Sequence, residues 1–162
     1  MSTHQTNLFN NVWCIDSTWR LVIESHMSAQ QSDWIEMNRT ALVLAPTGLL
    51  QELPFSPQDQ TSDQVIHEIN AAIGCTVSAV VRLTDTLEMW LDEEGIRRQP
   101  VNVYATLLAR RYGFVHQDYR GVALLATVDP HGVPLGLEPS QTAALRSQLL
   151  SLPVIPPIHS PS

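Results

Sequence analysis

Lysine is missing from this sequence, because all nine basic residues are arginines. This absence excludes every chemistry that needs a lysine amine, such as a Schiff base with a carbonyl substrate or the lysine of a phosphate-binding P-loop. The seven glycines are also separated from one another, so the sequence has no glycine-rich phosphate loop.

Cysteine is scarce, and the two present, Cys14 and Cys75, are too few for a disulfide framework. A chain of 162 residues buries enough apolar surface to fold without disulfide bonds. Two reduced thiols are therefore favoured, with a disulfide or a catalytic thiol as alternatives. HExxH, CxxC and GxSxG motifs are absent and the six histidines are scattered. We therefore predict no catalytic residues, no metal and no cofactor, which favours a binding protein over an enzyme.

Long apolar segments are also absent. No run approaches the roughly 18 apolar residues that a membrane span needs. The first residues are polar and lack the basic start and apolar centre of a signal peptide. The sequence therefore predicts a cytoplasmic protein that does not enter a membrane.

The charges are unevenly distributed along the chain, whose formal net charge is −7. Residues 1–94 carry thirteen acids and three arginines, whereas residues 95–162 carry six arginines and three acids. Overall acidity argues against general binding of nucleic acids, although it leaves room for a local basic pocket. Opposite charge in the two parts suits self-association, so a homo-oligomer is one expectation.

The pattern of apolar and turn-forming residues predicts three parts. Residues 1–37 form an N-terminal extension with a short hairpin, whose strands we place at 12–15 and 19–23. Residues 38–152 form an α+β domain. Residues 153–162 hold four of the eleven prolines and form an extended tail.

Within the domain, β-branched or alternating runs predict a mostly antiparallel sheet, with strands at 40–45, 49–55, 76–83, 87–92, 119–127 and 133–137. Residues that we expect to be buried alternate with residues that we expect in solvent in the strand at 87–92, which predicts one buried face and one solvent-exposed face. About three helices pack on this sheet. The first follows a capping box at Thr61 and stops at Gly74, the second opens at Pro100 and stops at Gly113, and the third begins at Pro139.

Three segments carry a resemblance to a known family: GCTVSAVVRLTDTLEMWLDEEG from Gly74, PVNVYATLLARRYG from Pro100, and YRGVALLATVDPHG from Tyr119. Together with the leucine-rich final helix they resemble the domain-of-unknown-function family 3846, over about residues 40–150. Members of that family are small proteins, frequent in actinobacterial chromosomes, plasmids and phages. The resemblance implies a compact α+β domain and a phage or plasmid setting, and it implies no activity.

The candidate ligand site lies where arginines concentrate. Five of the nine arginines fall between Arg97 and Arg120, with Asp118 the only acid among the residues that separate them. Guanidinium groups suit phosphates and carboxylates, aromatic faces can stack on a base, and the first turn of a helix offers free N–H groups to an anion. On these grounds we predict binding of an anionic small molecule, such as a nucleotide, or of an acidic protein surface. The predicted ligand-binding residues are Trp90, Asn102, Tyr104, Arg110, Arg111, Tyr112, His116 and Arg120.

Three alternatives to this site stay open. The arginines can simply be a solvated helix end, where cations favour the dipole. The acidic residues Asp85, Glu88, Asp92, Glu93 and Glu94 can instead form a protein-interaction or inhibitor surface, including one that mimics DNA. A small hydrolase with an unrecognised site is the third possibility.

Overall fold

The structure is a computed structural model and describes residues 38–57 and 60–153. The predicted N-terminal hairpin at residues 12–23 lies outside these residues, as does all but the first residue of the predicted tail. No helix in the described part of the chain combines the length and the apolar character that a membrane crossing requires.

The centre of the fold is a six-stranded sheet in which every pairing is antiparallel. The strands run in the spatial order β2-β1-β5-β4-β3, and β6 pairs with β5. Their bounds are β1 Thr40–Leu44, β2 Leu50–Pro54, β3 Ser78–Arg82, β4 Leu87–Asp92, β5 Ala123–Val128 and β6 Pro134–Leu135. The predicted α+β fold with a mostly antiparallel sheet is confirmed.

Four helices accompany the sheet in the described residues: α1 Ser62–Ile73, α2 Gly95–Arg98, α3 Val103–Arg111 and α4 Pro139–Leu150. The predicted capping box is present, because Thr61 accepts from the Gln64 N–H and the Gln64 side chain accepts from the Thr61 N–H. Gly74 ends α1 in the left-handed conformation with φ 80°. Local signals therefore locate the ends of this helix correctly.

The segment around the second predicted helix differs from the prediction in two ways. Residues 95–98 form the separate short helix α2, and α3 begins at Val103 rather than at Pro100. The strand predicted from residue 119 begins only at Ala123, and Arg120 before it forms an isolated bridge with Val101. Asn102 caps α3, which accounts for the start of this helix after Pro100.

Apolar side chains are buried on both faces of the sheet. One layer lies between the sheet and helices α3 and α4, where Leu125 and Leu108 are fully buried. The other lies under α1, where Val65 and Ile69 pack with Leu124. All six residues of β5 are buried, as a central strand with both faces covered requires.

The prediction of a solvent-exposed face on β4 is therefore wrong. Glu88 is only 4% exposed, and its carboxylate accepts a hydrogen bond of 3.0 Å from Arg82 on β3. Trp90 on the same face packs against the apolar layer under α1. Alternation along β4 indicated a strand correctly, but α1 covers the face that we expected to be solvated.

Candidate functional site

A cleft with a volume of about 770 Å³ lies at one end of the β3–β4 hairpin. Three segments line it: residues 74–77, which connect α1 to β3, residues 92–94 at the end of β4, and residues 96–99 in and after α2. We call this concavity the cleft. It is the candidate site because it brings charged, apolar and thiol side chains from three segments together.

Backbone hydrogen bonds hold the first two of these segments in place. The N–H groups of Gly74 and Cys75 donate to the Asn70 carbonyl at 2.8 and 3.0 Å, which closes the end of α1. The Asn70 side chain in turn donates to the Thr76 carbonyl at 3.1 Å. The Glu93 N–H donates to the Val77 carbonyl at 3.1 Å, so the two segments form one continuous wall.

The charged side chains of the cleft differ in how they are paired. Glu94 and Arg98 form an ion pair one helical turn apart. Asp92 accepts from the Glu94 N–H at 3.0 Å. Within the described residues, neither Glu93 nor Arg97 forms an ion pair, and both side chains are exposed. Asp92 forms no ion pair in the described residues either, so the cleft offers two carboxylates and one guanidinium group without an ion-pair partner.

Two branched apolar side chains line the cleft and stay exposed. Val77 is 53% exposed and Ile96 is 66% exposed, although both belong to residue types that are usually buried. They are contributed by different walls of the same concavity. Apolar surface of this kind, bordered by charges, is typical of an interaction site.

Cys75 is a free, half-buried thiol in the cleft. Its Sγ donates to the Asn70 Oδ1 at 3.7 Å. Burial first, and then the nearby Asp92 carboxylate, raise the pKa of the Cys75 thiol above its ordinary value. Since the thiolate is the reactive form, this environment makes Cys75 a poor nucleophile. The part of the chain that the structure describes holds no group of three potential metal ligands.

Asn102, one of the predicted ligand-binding residues, is fully buried. Its Oδ1 accepts from the Ala105 N–H at 3.0 Å, and its Nδ2 donates to the carbonyls of Leu44 and Gly121 at 2.9 and 2.8 Å. The Asn102 side chain therefore satisfies the Ala105 N–H at the start of α3 from inside the protein, and binding of an anion at this turn stays a prediction.

Arg110, Arg111 and Tyr112, the predicted residues at the C-terminal end of α3, lie in different environments. Arg110 pairs with Asp118 at 3.1 Å, and Arg111 is exposed. Tyr112 donates to the Gln148 side chain on α4 at 3.1 Å. It lines a second cavity of about 230 Å³, which is bordered mainly by apolar residues and threonines.

The other four predicted ligand-binding residues lie outside the C-terminal end of α3 or on a different face of the sheet. Tyr104 lies against Gly48, where a Cβ would come within 2.7 Å of its hydroxyl oxygen. His116 is exposed on the loop after α3, and Arg120 donates to the Gln99 carbonyl at 3.2 Å. Trp90 packs on the opposite face of the sheet from Tyr104. The structure thus does not gather the eight predicted residues at one site, and binding of an anionic small molecule by them stays a prediction.

The acidic stretch is also divided. Asp85 is exposed in the β3–β4 turn and Glu88 is buried, whereas Asp92, Glu93 and Glu94 line the cleft. The sequence analysis did not assign a site to Val77 or Ile96, and it counted Arg97 in the arginine-rich segment without naming it as a ligand-binding residue. Their proximity depends on the pairing of β3 with β4 and could not be read from spacing.

Comparisons with models of protein families, with curated proteins and with solved structures give no match to this chain. The resemblance to the domain-of-unknown-function family therefore stays a prediction.

Proposed function

We propose that this protein is a binding protein that recognises a segment of another polypeptide in the cleft. The observation that carries the proposal is the composition of the cleft. Exposed Val77 and Ile96 lie in one concavity with an unpaired anion, Glu93, and an unpaired cation, Arg97. Protein interfaces have this anatomy, with an apolar centre and a polar rim.

A polypeptide fits this cleft better than a small anion does. The cleft carries three carboxylates and two arginines, and one arginine is already neutralised by Glu94. A small anion would therefore meet more negative than positive charge. A peptide can place an acidic side chain at Arg97 and a basic one at Glu93, while an aliphatic side chain covers Ile96. The proposal keeps an acidic protein partner, as the sequence analysis predicted, but places its contact at Arg97 instead of Arg110 and Arg111.

Selection from a peptide library displayed on phage tests the proposal. We expect the full chain to enrich peptides in which an aliphatic residue stands beside an acidic one. Ile96→Asp should weaken binding of the enriched peptides at least about tenfold, since burial of one such side chain contributes about 1.5–3 kcal/mol. Arg97→Glu should change the preference from acidic to basic peptides. Binding is measured by fluorescence polarisation with the synthetic peptides.

Val115→Asp is the matched control, because Val115 is also exposed, at 54%, but does not line the cleft. This variant should bind the enriched peptides as the unmodified chain does. The proposal is wrong if no peptide is enriched, or if binding survives both Ile96→Asp and Arg97→Glu.

A further inference from the structure

The outer edge of β3 presents a full row of backbone groups. The Leu83 N–H donates to the Leu87 carbonyl at 2.9 Å, and the Glu93 N–H donates to the Val77 carbonyl at 3.1 Å. The backbone N–H and C=O groups of the odd-numbered residues of β3 therefore point toward β4. Because N–H and C=O groups alternate in direction along an antiparallel strand, those of Ser78, Val80 and Arg82 point outward. In the described residues no strand pairs with this edge.

The opposite edge of the sheet, formed by β2, is blocked. Hydrogen bonds from Ala45 to Leu49 and from Phe55 to Arg39 place the outward row of β2 at residues 50, 52 and 54. Pro54 has no N–H to donate, and Glu52 is charged and paired with Arg146. Proline and charge are the usual protections of an edge strand against pairing.

The edge of β3 lacks these protections over residues 78–81. These residues are uncharged and include no proline, and Ala79 and Val80 are exposed, Val80 at 47%. A strand of this composition with free backbone groups is a template for another strand. The two edges therefore differ, because the only charge in the outward row of β3 is Arg82 at its end.

We propose that β3 pairs antiparallel with β3 of a second copy of this chain, about a two-fold axis at Val80, so that two sheets become one. In this register the outward groups of Val80 meet those of the second copy's Val80, and those of Ser78 meet those of Arg82. All outward N–H and C=O groups of the strand are then paired. A register centred on Ser78 or Arg82 leaves part of the row without a partner. Such a self-complementary patch is what a two-fold dimer requires.

The charges along this register are complementary. Arg82, which pairs with its own Glu88 at 3.0 Å, comes opposite the small Ser78 of the second copy. The β4 neighbour of Ser78 is Asp92. Each Arg82 therefore lies between its own Glu88 and the Asp92 of the other copy, and no two like charges are placed opposite each other.

The apolar side chains also match. On the face that packs toward α3 and α4, Ala79 comes opposite Val81, so that a small side chain meets a larger one. The β4 neighbours of these two residues are Leu91 and Met89, which are both buried. The row therefore extends an existing apolar layer across the axis.

Sedimentation equilibrium of the full chain over a range of concentrations tests this dimer. We expect a monomer–dimer equilibrium. Val80→Pro removes the central outward N–H, which makes no bond within the described chain, and should raise the dissociation constant at least tenfold. Val80→Lys places two ammonium groups at the axis and should do the same if the proline variant does not fold. Glu52→Pro changes the equivalent row of β2 and should leave the dimer intact.

Amide hydrogen exchange identifies the occupant of the edge. In a dimer the outward Val80 N–H becomes more protected as the protein concentration rises, whereas the inward Val81 N–H is protected at every concentration. The proposal is overturned by a monomer at all concentrations, or by a dimer that survives both Val80 variants. It is also overturned by Val80 protection that is independent of concentration, since another part of the same chain would then cover the edge. Ile96→Asp should not affect dimerisation, so this result and that of the cleft are independent.

Discussion

Asn102 connects three backbone segments through one buried amide. Its oxygen caps α3 at Ala105, and its nitrogen reaches Leu44 and Gly121, which are 58 and 19 positions away along the chain. Only an amide supplies an acceptor and two donors from one short side chain. The sequence prediction placed Asn102 inside a helix that opens at Pro100 and missed its role as the cap. Its burial depends on the two distant carbonyls.

Asn102→Ala should reduce the free energy of unfolding by about 3 kcal/mol, because it removes a cap and one hydrogen bond to each of two buried carbonyls. Asn102→Asp keeps the cap but places a carboxylate against the carbonyls of Leu44 and Gly121, so it should be at least as damaging. Thr61→Ala, at the exposed cap of α1, should reduce stability by only about 1 kcal/mol. Urea unfolding measures all three. Equal losses for Asn102→Ala and Thr61→Ala would contradict the role given to Asn102.

At the scale of the element, β4 shows how a correct strand can have a wrongly assigned face. Leu87, Met89 and Leu91 were expected to be buried, and they are. Glu88 alternates with them and was expected in solvent, but α1 covers its face of the sheet. The buried carboxylate keeps Arg82 of the neighbouring strand as its partner.

Arg82→Ala should lower the free energy of unfolding by about 1–3 kcal/mol, because it leaves the buried Glu88 carboxylate without its cation. Glu88→Gln should have a smaller effect, since it removes the buried charge itself. In the double variant, Glu88→Gln should recover much of what Arg82→Ala loses. A double-mutant cycle by urea unfolding at one fixed protein concentration measures this coupling. Strictly additive losses would show that the pair is not coupled.

At the scale of the whole described molecule, stability depends on two apolar layers that share the strands β1, β5 and β4. Leu125 on β5 lies opposite Met89 on β4 and Leu42 on β1, and all three are fully buried. Loss of one such side chain leaves a cavity that rigid neighbouring strands cannot close.

Leu125→Ala should therefore lower the free energy of unfolding by about 2–5 kcal/mol. Leu150→Ala is the matched control, because Leu150 at the end of α4 is 81% exposed and should change stability by less than about 0.5 kcal/mol. Thermal and urea unfolding measure both variants. Similar losses at the two positions would mean that the layer between the sheet and helices α3 and α4 is not the main source of stability.

The sequence alone determined the types of most elements and several of their ends, because turns, caps and apolar periodicity act within a few residues. Examples are the capping box at Thr61, the end of α1 at Gly74 and the start of α4 at Pro139. Only the tertiary structure decided which faces are covered, which edge is open and which side chains meet in the cleft. The physical reason is that burial and proximity depend on contacts between residues far apart in the chain, as between Glu93 and Val77 or between Asn102 and Leu44.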